Sequence, residues 1–343
     1  MNIADKKEFR ESFFTLLENK KNIVITSHLS PDDDSISSVL SLYQILTERM
    51  DASLVRILYS GKEASRFKSI PFFEKIEFVE DISSHTETID ALIMLDGGQY
   101  YRFSKNPEII KTIETTICID HHSSLPDTFT LSHIDKSLSS NAEVLFSLFD
   151  NTMTLTKSLA ETLMLGILGD TGNFTFMKAS QSNVLLIAKK LVDAGSIDIQ
   201  SFQSTYRKIP ERVFLVIQEL MKNASRKKIG TVPEFVYSFI TNEYVKSGGF
   251  LDEEISAAKS IFTAHYGTSL TGISWGFVLI PKGDKTHISM RSLPGSVNVR
   301  DMLERMNVGG GHDLAAGGIF SGNEVEKNIQ SIFEWLETNQ IHT

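Results

Sequence analysis

The sequence predicts an α/β protein of two domains, with a largely parallel sheet in the first. Short apolar, often β-branched runs alternate with amphipathic stretches of helical spacing through the first half of the chain. Three of those runs stop abruptly on Asp or His, and ligands of parallel α/β sheets bind beyond the carboxyl ends of the strands. The α/β order then restarts near residue 225, and 343 residues suffice for two cores.

Residues 5–20 read as an opening amphipathic helix with Phe9, Phe13, Phe14, Leu16 and Leu17 on its apolar side. Residues 23–27 read as a buried strand. Residues 34–50 follow as a helix whose Ile36, Val39, Leu40, Tyr43, Leu46 and Met50 keep three-to-four spacing. Further strands are predicted at 54–59, 91–95 and 116–119. Helices follow at 139–151, at 156–169 (apolar on most sides, hence buried) and at 181–194. Residues 198–224, long, polar and interrupted by Pro210, read as a connector. Beyond it come strands at 234–240, 272–280 and 285–291, a helix near 253–265, a short helix at 297–306, a last strand and a closing helix at 323–338. The expected domains are 1–195 and 225–343, joined by a helical connector at 196–224, with the active site in the cleft between them.

Composition narrows the class. Hydrophobic residues make up 41% and charged residues 22%, as in an ordinary globular protein. No run of 18 apolar residues argues for a membrane span, and the N-terminal segment has no apolar signal core. A single cysteine, Cys118, excludes an internal disulfide framework and fits a cytoplasmic location. It lies inside a predicted strand and reads as an inert buried hydrophobe. The net charge of −9, borne mostly by the first two-thirds of the chain, argues against non-specific gripping of long nucleic acid. A bound cation pair would still draw an anionic substrate to one cleft.

The strand-end residues are His28, Asp32, Asp34, Asp96, His121, His122 and Asp170. Alone, the stretch from His28 to Asp34 reads equally well as an acidic turn or a metal site, and a lone Asp after a strand is commonly a helix cap. Four separate segments offering carboxylates and imidazoles at sheet ends favour the second reading. Such a set can hold two divalent ions about 3.5–4 Å apart that share a carboxylate.

The order of these segments resembles a known family. His28-Leu29-Ser30-Pro31-Asp32-Asp33-Asp34 resembles the first motif of the DHH phosphoesterase superfamily. Asp96 matches the second motif, Asp120-His121-His122 the name-giving third, and Asp170-Thr171-Gly172 the fourth. Gly309-Gly310-Gly311-His312, with Ser289-Met290-Arg291-Ser292 upstream, looks like the associated C-terminal DHHA1 domain. The resemblance implies that His28 and Asp32 hold one metal, that Asp34, His121 and Asp170 hold the other, and that Asp96 bridges them. It implies two Mn2+ ions, with Mg2+ or Co2+ as substitutes, and makes Asp96, Asp120 and His122 the catalytic group. Asp120 would orient the histidine pair, and His122 would sit beside the scissile phosphate; direct metal ligation by either stays open. Asp33 is expected to point to solvent. Ser37 stands where the family commonly has glycine, and helix packing is expected to survive it.

Ser289, Arg291, Gly309, Gly310, Gly311 and His312 are the expected substrate-binding residues. The glycine N–H groups would cradle a phosphate and Arg291 would fork onto it. Arg102, six residues after Asp96, is placed to face the cleft, but a solvated loop arginine is the favoured reading. The compact length resembles the stand-alone branch of the superfamily: oligoribonucleases, phosphatases of 3′-phosphoadenosine 5′-phosphate and soluble cyclic-dinucleotide phosphodiesterases. The expected function is therefore manganese-dependent hydrolysis of short oligoribonucleotides or 3′-phosphoadenosine 5′-phosphate by a hydroxide held between two metals. The alternatives are a cyclic di-AMP or linear dinucleotide phosphodiesterase and a catalytically silent nucleotide-binding protein. A short RNA or small nucleotide is the expected partner, with no long nucleic acid and no membrane; a homodimer stays open.

Overall fold

Alternating side chains explain the first sheet. In Ile23–Ser27 (β1), Ile23 and Ile25 face one apolar layer and Val24 the opposite one, all fully buried. A strand buried on both faces belongs in the middle of a parallel sheet covered on both sides. The computed structural model describes residues 3–63, 65–122, 126–206 and 208–341, and divides into two units, Met1–Arg207 and Lys208–Thr343.

The first unit opens with Ile3–Leu17 (α1), β1 and Asp33–Thr47 (α2), then Val55–Ser60 (β2), Ile76–Val79 (β3) and Ala91–Leu95 (β4). A short Pro107–Ile110 (α3) precedes Thr116–Asp120 (β5) and Leu131–Ile134 (β6). Four helices follow: Asn141–Phe149 (α4), Lys157–Asp170 (α5), Asn183–Gly195 (α6) and Ile199–Tyr206 (α7). The six strands are all parallel, in the order β3-β2-β1-β4-β5-β6. The two outer strands, β3 and β6, were not expected from sequence. Each has four residues and only one of them is buried, so neither carries the buried apolar run that marks a central strand.

The second unit comprises Glu211–Lys222 (α8), Ser225–Lys227 (β7), Phe235–Phe239 (β8), Asn242–Gly248 (α9), Asp252–Tyr266 (α10), Trp275–Lys282 (β9) and Lys285–Ser292 (β10). It ends with Val299–Arg305 (α11), Gly309–His312 (β11), Ala315–Ser321 (β12) and Val325–Thr338 (α12). Its mixed sheet runs β11-β12-β10-β9-β8-β7, with β8 and β9 its parallel pair. One face packs Phe277, Leu279, Ile288 and Met290 against α11 and α12. The other packs Val278 and Ile280 against α8 and α10.

The segment 196–224 is not a separate connector. Phe202 of α7 is buried in the first unit's core, whereas Val213, Val216, Ile217 and Leu220 of α8 are buried in the second unit. Cys118 is buried as expected, and burial pushes its thiol well above the ordinary range. Among the described residues no helix is long and apolar enough to cross a membrane.

Candidate metal centre

The strand order reverses between β1 and β4, which are direct neighbours, and this opens a crevice beyond their carboxyl ends. His28 follows β1, Asp96 follows β4, and His121 and His122 follow β5. Helix α2 supplies Asp32 and Asp34, and the last residue of α5 is Asp170.

Adjacent aspartates do different work because the helix start separates them. Asp32 caps α2: its Oδ1 accepts the Ser35 N–H at 2.9 Å, while its Oδ2 lies 3.4 Å from His28 Nε2. Asp34 is fully buried and accepts the N–H groups of Asn141 (2.6 Å) and Ala142 (2.9 Å) at the start of α4. Asp33 was expected to point to solvent; its side chain is 30% exposed, pairs with Arg66 at 3.1 Å, and its Cβ lies close to Gly169 of α5. Ser37 also has a definite role, donating from its buried hydroxyl to the Thr162 carbonyl of α5 at 2.7 Å.

Asp96 is the hub. Its backbone is left-handed, with φ of +60°, a conformation uncommon outside glycine and of the kind that gathers at functional sites. Its Oδ2 lies 3.3 Å from His28 Nε2 and its Oδ1 3.4 Å from His121 Nε2. His121 Nε2 also lies 3.2 Å from Asp170 Oδ2 and 3.8 Å from Asp34 Oδ2. Yet His121 Nε2 and Asp96 Oδ1 are both buried and make no well-aligned hydrogen bond. They converge on common space rather than on each other. Orphaned buried donors and acceptors are rare and call for a missing partner.

The ligand atoms fall into triplets lying within 4.8 Å of one another: His28, Asp32 and Asp96; Asp34, His121 and Asp170; and Asp96, His121 and His122. A mixed imidazole and carboxylate set of this size suits divalent cations such as manganese or zinc, so the residues fit a metal pair. The structure therefore brings all six expected ligand positions together, with one oxygen of Asp96 toward each of two sets.

Charge balance supports the same view. Burial alone would lower His28, but the Asp32 and Asp96 carboxylates raise it to about 10. His121 is likewise raised against its burial by Asp170 and Asp96. Burial and the repulsion of Asp170 and Asp96 push Asp34 well above the usual carboxylate range. Burial lifts Asp170 to about 6, with His121 opposing. Asp96 stays well below its ordinary value because His121 and His28 outweigh its burial. Four carboxylates crowded around two imidazoles hold more negative charge than the protein neutralises.

Asp120 is buried and fixes the turn after β5. Its Oδ1 accepts the N–H groups of His121 (2.8 Å) and His122 (3.2 Å) and contacts His122 Nδ1 at 2.7 Å. Burial would raise its carboxyl, but His122 holds it down.

Sequence reasoning missed two contributors. Arg66 reaches Asp33 from a short turn that carries no motif. Gly166 lies inside a helix, where nothing in the sequence singles it out.

The expected substrate residues all lie in the second unit. Ser289 and Arg291 share the β10 face that carries α10, and Arg291 donates to the Met290 carbonyl at 3.0 Å. Burial lowers the Arg291 guanidinium. Gly309–His312 takes a definite place in the second sheet. The run is neither a loop nor a turn but the edge strand β11, paired with β12. Its glycines serve strand contact: a Cβ on Gly309 would lie 2.1 Å from the Gly317 carbonyl oxygen. The N–H groups of the glycines that face away from β12 remain for a ligand.

Comparison with known proteins agrees with this geometry. Residues 22–167 match the model of the DHH family, N-terminal domain. A Streptococcus mutans protein named "Probable bifunctional oligoribonuclease and PAP phosphatase NrnA" is 26% identical, the match covering 89% of this chain and 93% of that protein. A Thermus thermophilus protein, named as a bifunctional oligoribonuclease and PAP phosphatase, is 24% identical over 91% of this chain and 88% of its own length. The Listeria monocytogenes cyclic-di-AMP phosphodiesterase PdeA is 24% identical over 87% of this chain, which covers 44% of that protein. The crystal structure of an exopolyphosphatase-related protein from Bacteroides fragilis superposes with a TM-score of 0.81 at 22% identity, covering 96% of this chain and 97% of that one; it shares the fold. Residues 22–167, which carry His28, Asp32, Asp34, Asp96, His121 and His122 of this crevice, match the DHH family's N-terminal domain, and the relatives named above align with the chain on both sides of it.

Proposed function

We propose that this protein is a metal-dependent phosphoesterase that hydrolyses short oligoribonucleotides, 3′-phosphoadenosine 5′-phosphate, or both. The observation that carries this reading is the pair of ligand sets meeting at Asp96, with Asp96 Oδ1 and His121 Nε2 buried and unsatisfied. Relatives named for those two activities match over nearly the whole chain.

In this reading His28, Asp32 and Asp96 hold one divalent cation, and Asp34, His121 and Asp170 hold the other, with Asp96 shared; Mn2+ suits the donor set. When bound, such a pair neutralises phosphoryl oxygens and activates water near neutral pH. The chain's own residues do the rest. Asp34 is locked by two amides of α4, so its oxygens cannot swing away. Asp120 faces His122 Nδ1 and favours the doubly protonated ring, whose Nε2–H would donate its proton to the substrate oxygen that departs, leaving the neutral Nδ1–H imidazole. The left-handed backbone of Asp96 aims one carboxylate at both sets. A silent binding protein would not need to retain a complete, strained and electrostatically costly ligand set.

The test is turnover of a short RNA, 3′-phosphoadenosine 5′-phosphate, cyclic di-AMP and pyrophosphate, each with Mn2+ and with chelator. Mn2+-dependent release of mononucleotides or phosphate from the first two is expected. Turnover of cyclic di-AMP alone moves the protein to the activity named for the Listeria relative, and no turnover at all removes the enzyme reading.

A further inference from the structure

Behind the first ligand set runs a chain of buried hydroxyls that no motif accounts for. Tyr59 of β2 is fully buried and packs in the apolar layer between the sheet and α2, with the Phe78 ring of β3 5.8 Å away. Its hydroxyl donates to Ser35 Oγ at 3.0 Å. Ser35, also fully buried, is the third residue of α2 and clasps the residue that caps that helix. Its Oγ accepts the Asp32 N–H at 2.9 Å and donates to the Asp32 carbonyl oxygen at 3.2 Å. Its own N–H goes to Asp32 Oδ1 at 2.9 Å.

A hydroxyl has one proton and two lone pairs. With the Tyr59 hydroxyl and the Asp32 N–H on its lone pairs, the Ser35 proton is left for the Asp32 carbonyl, and the hydroxyl has one orientation. Ser35 thus pins the backbone and one carboxylate oxygen of Asp32, and Oδ2 stays turned toward His28 Nε2. The clasp matters most for Asp32, whose side chain is half-exposed and lacks the packing that holds Asp34 and Asp96. Burial, then the Asp32 charge, pushes the Tyr59 phenol well above its ordinary range, so it keeps the proton it donates. The Ser27 hydroxyl bears on the same phenol and donates to the Leu95 carbonyl at 2.7 Å. Ser27 precedes His28, and Leu95 precedes Asp96. The phenol therefore adjoins the segments that carry all three residues of the first set. In the second set, Asp34 is held instead by the amides of α4.

We propose that Tyr59 is a positioning residue for the His28, Asp32 and Asp96 set: its hydroxyl, acting through Ser35, holds Asp32 in the geometry that binds a divalent cation. The inference rests on the metal-centre reading above and concerns one of its two ligand sets.

The experiment is calorimetric titration of the metal-stripped full chain with Mn2+, for wild type, Y59F, S35A, Y59F/S35A and D32N. Y244F is the control, since the Tyr244 phenol donates to the Leu215 carbonyl in the second unit. Wild type is expected to take up two ions, and D32N marks the binding step of the first set by weakening it most. Y59F and S35A are expected to weaken that same step about tenfold or more, the loss typical of groups that support a ligand, and to leave the other step within about twofold. Y59F/S35A should bind no more weakly than S35A, because the two hydroxyls act in one chain. Y244F should match wild type. In turnover, Y59F should raise the Mn2+ concentration for half-maximal rate about tenfold, with KM for 3′-phosphoadenosine 5′-phosphate within about twofold at saturating Mn2+. A Y59F protein that melts earlier in chelator yet binds both ions like wild type has lost only packing, which overturns the proposal; equal weakening of both steps overturns it too. Wild type that takes up fewer than two ions removes the metal-pair reading and the proposal with it, whereas unchanged binding in Y59F removes the proposal alone.

Discussion

Asp34 and Gly166 touch across two helices: a Cβ on Gly166 would lie 2.6 Å from Asp34 Oδ1 and equally close to Ser37 Oγ. The missing side chain lets α5 press onto α2 beneath the buried carboxylate, which brings Asp170 to the same crevice. Gly166→Ala is expected to destabilise the fold by about 1–3 kcal/mol through overpacking and to displace Asp34. Thermal denaturation and Mn2+ affinity should fall together; an unchanged melting temperature with full affinity would show that the helices have slack. Ser37→Ala, which loses only the bond to Thr162, should cost about 1 kcal/mol and leave turnover intact.

Asp96→Asn separates charge from backbone. Asparagine tolerates a left-handed conformation better than most residues, so the strained turn should survive. The expected outcome is loss of turnover to background with a circular dichroism spectrum like wild type. Substantial residual activity would remove Asp96 from the centre of the site.

Asp120→Asn keeps an oxygen in place of Oδ1, the acceptor for the His121 and His122 amides, but removes the charge that His122 Nδ1 faces. Loss of such a supporting group typically costs about 10–100-fold in metal affinity or activity. We expect a fall in kcat of that order with KM little changed. A variant as active as wild type would mean that the backbone contacts alone orient His122.

The metal-free protein should lose stability as pH rises, in two windows. Asp170 is raised to about 6 from its ordinary value of 3.8, so the folded state holds its proton longer than the unfolded chain. Stability therefore falls from about pH 4 and levels off above about pH 6. His28, raised to about 10 from 6.5, gives stability that is complete below 6.5 and lost as pH passes through about 10. Melting curves in chelator should show both declines, Asp170→Asn should flatten the first, and Mn2+ should raise the melting temperature at neutral pH. A flat profile in chelator would contradict the crowding of carboxylates around His121.

Much of this protein was legible in the amino-acid order. The continuous apolar runs at 23–27, 91–95 and 116–119 identified the central strands, and the Asp and His residues at their ends marked the crevice because parallel strands present their carboxyl ends together. The outer strands were not legible, since a short, half-exposed strand needs no apolar run.

Other decisions belong to the tertiary structure alone. Spacing along the chain could not say that Asp33 would find Arg66, that Ser37 would bond to Thr162, or that a glycine in the middle of α5 would set the depth of Asp34. Nor could it say that the glycine run would form an edge strand with Gly309 close against Gly317. A sequence determines which atoms can serve as ligands and which segments carry them to a sheet edge. Which oxygen faces which nitrogen, and which charges stay unpaired, follows from contacts between residues far apart in the chain, and only packing brings those together.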